Sequence, residues 1–387
     1  MINLAALRRE LFASAIGPSC IVTFKPGAPA HDASLAYVTP KPTGTSEDAL
    51  RITVDLHDVH FLRHDQAAVD DLVWSVLMWG GMRDLQLVRR IMRQPSLDSL
   101  RNAELCATRE GFIRGKGNPT LAPEIVGRRY LLEKDFPGHI FEPLEAESLT
   151  LNQDPKVHRR DKDRLKAFDP PQVIFKQAWK AGKNRFEAVI VIPDNNGNGA
   201  LCSDSYVSIR DLTESRDLSG GVWLILNSNF APYWFTLTCG QFAGFIPKAT
   251  ETELRQLPAL RFPNNELPAI AKAGYPAIDE TVFELLGLNE AEQNLVEDIH
   301  QVVLPDAQRQ GGDPPGYKGV SPRQLEAYAD TFRKVLEATF GESQPIAITL
   351  FESSQGPRFL CNLWSIQWGA NCQPGASVVN PSKHLIC

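Results

Sequence analysis

The side chains in this sequence whose types and spacing suit chemistry are mostly cations. Residues 109–118 (REGFIRGKGN) and 154–193 (DPKVHRRDKDRLKAFDPPQVIFKQAWKAGKNRFEAVIVIP) interleave Arg and Lys with turn residues and apolar positions, a pattern that holds basic loops on a folded frame. Lysine and arginine on such loops neutralise phosphates and fix register, while planar donors such as Arg, Asn and Gln read base edges. The candidates for contact with double-stranded DNA are Arg109, Arg114, Lys116, Arg159, Arg160, Lys162, Arg164, Lys176 and Arg185, joined by Arg83, Arg89 and Arg90 one segment earlier. Asp154, Asp161 and Asp163 dilute the second run and keep an ordinary charged surface open as the alternative.

His57, His60 and His64, with Asp55, Asp58 and Asp65 between them, form the densest histidine group. On a helix that spacing could chelate a metal, but the alternation just before it reads as a strand, which would turn His57 and His60 to opposite faces. A polar strand-to-helix connection is the plainer reading, and no metal site is assigned. Cys20, Cys106, Cys202, Cys239, Cys361, Cys372 and Cys387 are odd in number, scattered and without a CxxC pair, which argues against a disulfide framework and a structural zinc. Nothing in the sequence marks a nucleophile or a general base.

The elements that must position the cations follow from periodicity. Leu72, Val73, Val76, Leu77 and Trp79, then Leu85, Leu87, Val88 and Ile91, predict an amphipathic helix or helix pair over Asp70–Arg93; its arginines are either a solvated face or a phosphate-facing one. The stretch Val222–Pro263 is the organising segment: an apolar run ending at Asn227-Ser228, a short aromatic helix through Phe230, Tyr233, Trp234 and Phe235 that ends at Gly240, a strand over Phe242–Pro247, and a helix opened by a Thr250 or Thr252 cap ahead of Glu253. Pro258 and Pro263 then lay the chain out extended. Asn227, Tyr233 and Trp234 read as core.

Before this segment, Leu4, Leu7, Leu11 and Phe12 fall at helical spacing. Cys20–Phe24 reads as a buried strand, with Leu35–Val38 and Arg51–Leu56 as two more. Gly197-Asn198-Gly199 reads as a hairpin turn between Glu187–Ile192 and Ser205–Ile209. After it come a Pro/Ala-rich connector (Asn264–Ala277), a helix over Thr281–Leu304 with an Asn289/Glu292 capping box, and a Pro/Gly linker (Pro305–Gly319). A helix from Ser321 or Pro322 to Phe340, strands at Ile346–Phe351 and Phe359–Trp368, and a frayed tail from Ala370 complete the reading.

At 387 residues, 43% of them hydrophobic, the chain can build two or three cores. No apolar run of about 18 residues could cross a membrane, and MINLAALRRELF has charge inside its amphipathic pattern, unlike a signal peptide. With the cysteine usage, these features place the protein in the cytoplasm. The net charge of −6 disfavours a nucleic-acid binder, yet it hides an asymmetry: residues 80–190 hold 21 Lys/Arg against 15 Asp/Glu. Local charge sets the field at a surface.

Several of these stretches carry a resemblance. LILNSNFAPYWFTLTCGQFAGFIPKATETELRQLPALRFP resembles the closing segment of target-recognition domains in adenine-specific DNA methyltransferases and in the specificity subunits of type I restriction systems. LMWGGMRDLQLVRRIM is similar to the connector that leads into target recognition, and Gly111-Phe112, Gly115, and Pro171, Val173, Ile174 and Lys176 occupy places like the family's GF-x-x-G and P-x-V-I-x-K. LAALRRELF, CIVTFKP and AYVTPK resemble the end of its catalytic domain. The family's Gly-rich cofactor loop and Asn/Asp-Pro-Pro-aromatic motif precede this point. Asp169-Pro170-Pro171-Gln172 and Asp313-Pro314-Pro315-Gly316 lack the aromatic ring that stacks on a flipped base, so both read as turns. Gly115-Lys116-Gly117 and Gly197-Asn198-Gly199 do not lie between a strand and a helix as a phosphate loop must.

The expected fold is mixed α+β. Residues 1–70 would be the end of an α/β methyltransferase-like unit, 71–104 a helical connector, 105–265 a recognition-type domain, 266–319 a linker and helix, and 320–387 a small α+β appendage. The resemblance implies DNA binding and sequence choice in restriction-modification or phage defence, with no catalytic residue here. S-adenosylmethionine and the catalytic loop would sit on a partner chain carrying the methyltransferase domain. The alternative is a non-catalytic protein-interaction component of a defence complex.

Overall fold

The computed structural model describes residues 1–7, 11, 17–30, 32–46, 49–54, 56–114, 119–139, 141–158, 165–180, 185–240 and 248–307, and beyond them 323, 326–327, 329–333, 346–351, 364–368 and 375–379. It is a mixed α+β structure. Two compact units divide it, residues 1–42 with 50–310, and residues 43–49 with 311–387.

The first strands are short: β1 (Ile2–Asn3), β2 (Cys20–Ile21) and β3 (Ser34–Val38), then β4 (Lys41–Ser46), β5 (Ala49–Thr53) and β6 (Val59–Arg63). They form a four-stranded sheet in the order β2-β1-β3-β6, and β4 pairs with β5. The buried strand expected at Cys20–Phe24 is instead a two-residue edge strand whose apolar side chains face out, with Phe24 86% exposed. Of the amino-terminal helix expected from Leu4 to Phe12, Ala5–Leu7 is a 3-10 turn and Leu11 is helical, and the other positions after Leu7 lie outside the described residues. The three histidines fall in three elements: His57 in a tight turn (Leu56–Asp58), His60 in β6, and His64 at the start of α1 (His64–Val69).

Two helices follow, α2 (Leu72–Trp79) and α3 (Met82–Ile91), broken at Gly80-Gly81, and then α4 (Leu97–Asn102). The pair is locked to the core through Asp84, whose carboxylate accepts from Gly81 N (2.7 Å) and from the buried Tyr233 hydroxyl (3.1 Å). Burial raises the Asp84 pKa above the ordinary carboxylate range.

The centre is a five-stranded sheet in the order β10-β14-β13-β15-β7. Its members are β7 (Cys106–Glu110), β10 (Leu144–Glu145), β13 (Gln172–Lys180), β14 (Arg185–Ile192) and β15 (Tyr206–Asp211). Between them run β8 (Pro119–Leu121), β9 (Arg129–Tyr130), β11 (Thr150–Leu151) and β12 (Lys156–His158), paired as β8–β12 and β9–β11. Both β14 and β15 pair with β13 and not with each other, so Gly197-Asn198-Gly199 is a turn but not a hairpin turn. Gly199 packs against the buried Gln172 side chain, which also donates to Ala200 O and Ser208 Oγ at 2.8 Å each.

Alternation along the strands sends residues to two cores. Val173, Phe175, Phe186, Ala188, Val207 and Ile209 face the helices, whereas Ile174, Val189, Val191 and Tyr206 face the irregular layer built from residues 112–168 and 200–202. Against the first face lie α5 (Leu218–Asn227) and α6 (Phe230–Thr238), and every residue of α5 is buried. Asn227 explains the Leu-Asn-Ser signature: it accepts from Ala188 N (3.1 Å) and donates to Ala188 O (3.0 Å) and Trp223 O (2.8 Å), tying the helix end to β14. Tyr233 and Trp234 are fully buried, as read from the sequence.

Thr250 caps α7 (Glu251–Leu254) in a box with Glu253, as expected, while the strand expected at Phe242–Pro247 lies outside the described residues. The extended LPALRFP segment crosses α5 at Gly220 and Gly221, where carbonyls of Phe262 and Leu260 stand in the space a Cβ would take. The Pro/Ala-rich connector is helical: α8 (Leu267–Ala273) and the start of α9 (Tyr275–Leu285) occupy it. Pro268 and Pro276 sit in first helical turns, where a missing N–H costs nothing. Asn289 and Glu292 cap α10 (Glu290–Asp298), and a π turn at Ile299–Val303 leads into α11 (Leu304–Ala307).

One apolar core runs from Tyr37 to Leu304 through the helix pair, the sheet and the carboxy-terminal helices. The expected boundaries at residues 104 and 265 therefore fall inside one packed body. In the second unit, β16 (Ile346–Phe351) pairs antiparallel with β17 (Trp364–Trp368) and parallel with β18 (Gly375–Val379), a strand within the tail expected to fray.

Candidate nucleic-acid interface

The cations proposed to contact DNA separate by what they touch. Arg185 is a largely shielded tie: it pairs with Asp279 (2.6 and 3.1 Å), donates to Asn227 O (2.9 Å) and lies over the Tyr275 ring at 4.3 Å. Arg90 fastens α3 to α10 through Glu292 (2.8 and 3.1 Å) and the Leu286 carbonyl (3.2 Å). Arg89 pairs with Asp70. These three hold elements together, and their charges are spent on carboxylates within the fold.

The remaining described candidates are less committed. Arg83 is exposed on α3 and Arg109 half-buried on β7, neither with a side-chain partner among the described residues. Lys176 stands 3.7 Å from Glu133, itself largely exposed, and 5.8 Å from the Phe136 ring centroid, which stacks on Tyr206. Arg114 lies flat on the Tyr130 ring at 3.5 Å, and its Nη2 donates to Asn152 Oδ1 at 2.6 Å. Lys116, Arg159, Arg160, Lys162 and Arg164 lie outside the described residues.

What relates these positions is the β8–β12 ribbon. Its antiparallel register pairs His158 with Pro119, the last described residue before Arg159 with the first after Lys116. Arg114 belongs to the same end, because Ile113 O accepts from His158 N at 3.0 Å. Arg83, Arg89, Arg90 and Arg185 belong to other elements.

Tyr130 and Asn152 are residues the sequence did not single out, and no spacing or motif marks them. Tyr130 is fixed by β11 on one side and Leu201 on the other. Asn152 is buried and donates to Ile125 O (2.9 Å) and Asp154 O (3.0 Å). Burial pushes the Tyr130 hydroxyl up to about 12 against the pull of the Arg114 charge, so the phenol stays neutral beneath the cation.

Asp169, ahead of the Pro-Pro pair, accepts from Arg128 (3.0 Å) and Arg210 (3.1 Å), which makes that motif a cross-tied corner at the start of β13. Burial pushes the Cys106 thiol up to about 11 and that of Cys202 higher still, so both stay protonated and unreactive at neutral pH. Among the described residues no cluster of His, Cys, Asp and Glu could hold a metal ion, and no helix is long and apolar enough to cross a membrane. Searches with protein-family models and among curated proteins find no match to this chain.

Proposed function

We propose that this protein is the duplex-DNA-binding, sequence-recognition part of an adenine-specific DNA methyltransferase of restriction-modification or phage-defence type. The observation that carries the reading is the register of the β8–β12 ribbon, which sets the flanks of both basic segments side by side next to Arg114, in a chain otherwise acidic overall. The order of motifs from the WGGMRD connector to LPALRFP supports the family. In this reading Arg114, Lys116, Arg159, Arg160, Lys162 and Arg164 meet phosphates, with Arg109 and Lys176 at the margins. The target adenine leaves the duplex at a cost of a few kcal/mol, and the methyl group of S-adenosylmethionine is supplied from the pocket of a partner chain.

The test is a salt-dependent titration of duplex DNA with and without S-adenosylmethionine. Binding that falls steeply with salt and ignores the cofactor is expected; no binding at low salt would remove the reading.

A second reading, a protein-interaction component of a defence complex, is favoured by the exposed apolar side chains of the amino-terminal region, Phe24, Phe61 (75% exposed) and Val69 (84% exposed). The DNA titration separates the two readings.

A further inference from the structure

We infer that Arg114 is a pre-organised phosphate clamp, with Tyr130 and Asn152 as the residues that position it. The inference rests on the DNA-binding reading and gives it one specific contact.

The argument begins with how arginines are held in this fold. Arg89, Arg90, Arg128, Arg129, Arg185, Arg210, Arg255 and Arg261 each face a carboxylate. Arg114 is fixed just as firmly, by a ring face and an amide oxygen, but both partners are neutral. No carboxylate pairs with it among the described residues. The nearby Asp154 uses its carboxylate on Lys156 N at 2.9 Å.

An ordered guanidinium held, among the described residues, by uncharged groups is suited to an anion with planar or forked acceptors, and a DNA phosphodiester matches it. Stacking on Tyr130 removes rotamers before the ligand arrives, so less entropy is lost on binding. Tyr130 can serve as a rigid floor because β11 and Leu201 hold it on both sides. Asn152 fixes the in-plane rotation of the guanidinium, its own amide being held by two backbone carbonyls. A phosphate contact carries no base information by itself, so its effect is the same on every sequence.

The experiment is fluorescence anisotropy of labelled duplexes of two unrelated sequences, titrated with the full chain at several salt concentrations, with circular dichroism to confirm each variant's fold. Arg114→Ala lowers the slope of log K against log salt by about one and weakens both duplexes equally. Arg114→Lys keeps the charge and therefore the slope, but loses the planar stack and binds about two- to five-fold more weakly. Tyr130→Leu behaves as Arg114→Lys does; should its fold fail, the lysine variant decides alone. Unchanged slope and affinity in Arg114→Ala, with wild type binding well, overturns the clamp and leaves the DNA reading standing. Full affinity in Arg114→Lys overturns the pre-organisation, and a loss confined to one duplex sequence overturns the assignment to phosphate. Absence of wild-type binding at low salt removes the DNA reading and the clamp with it.

Discussion

Arginine is one residue type with two uses in this molecule, and its partner decides which. Arg185 and Asp279 are both largely shielded from solvent, so removing one leaves the other's charge buried without compensation. Arg185→Ala is expected to cost about 3–5 kcal/mol of stability, read by urea denaturation, with the DNA salt slope unchanged. The double variant Arg185→Ala with Asp279→Ala is expected to recover part of that loss, because no orphan charge remains. A full-strength fold in the single variant, with weaker DNA binding, would return Arg185 to the ligand surface. Sequence alone put Arg185 and Arg114 on the same footing, since both sit in basic runs; what differs is a carboxylate 94 positions away in one case and a tyrosine ring in the other.

At the level of elements, the central helix α5 is specified by two glycines as much as by its apolar residues. Gly220 and Gly221 let the LPALRFP segment lie directly on the helix, with Phe262 N donating to Asp217 O at 2.9 Å. Gly221→Ala would drive a methyl group into the Leu260 carbonyl, and a loss of about 1–3 kcal/mol is expected from the forced shift, measurable as a lower midpoint of thermal unfolding. Gly17→Ala, where nothing lies within 4 Å, is the matched control and is expected to change little. The capping boxes at Thr250 and Asn289 were legible because they are local: a side chain and a backbone N–H three residues apart. The Pro/Ala connector was misread for the same kind of reason, since prolines mark breaks in most settings and here occupy first turns.

For the whole molecule, one core joins the helix pair, the sheet and the helices up to Leu304, and the Arg90–Glu292 pair spans it. Trp74 and Trp79 lie in the helix pair, while Trp179, Trp223 and Trp234 lie in the sheet and its covering helices. If residues 71–104 and 105–265 were independent domains, these two groups would report separate transitions. A shared core predicts a single transition for residues 50–304, with tryptophan fluorescence and far-ultraviolet circular dichroism coinciding over that step. Two resolved tryptophan transitions within this unit would contradict it.

The sequence by itself determined what is local or periodic: the α+β class, the helical character of Asp70–Arg93, the aromatic helix of the core, the buried character of Asn227, Tyr233 and Trp234, and the Asn289/Glu292 capping box. These follow from side-chain spacing along one element or from hydrogen bonds within four residues, so no distant partner is needed to read them. The tertiary structure decided which strands are neighbours, placing β13 between β14 and β15 where adjacency in sequence had suggested a hairpin. It also decided which cations are already neutralised and which, like Arg114, are held by uncharged groups. Both are facts about long-range partners, and a charge in a sequence carries no record of the distance at which its counter-charge will be found.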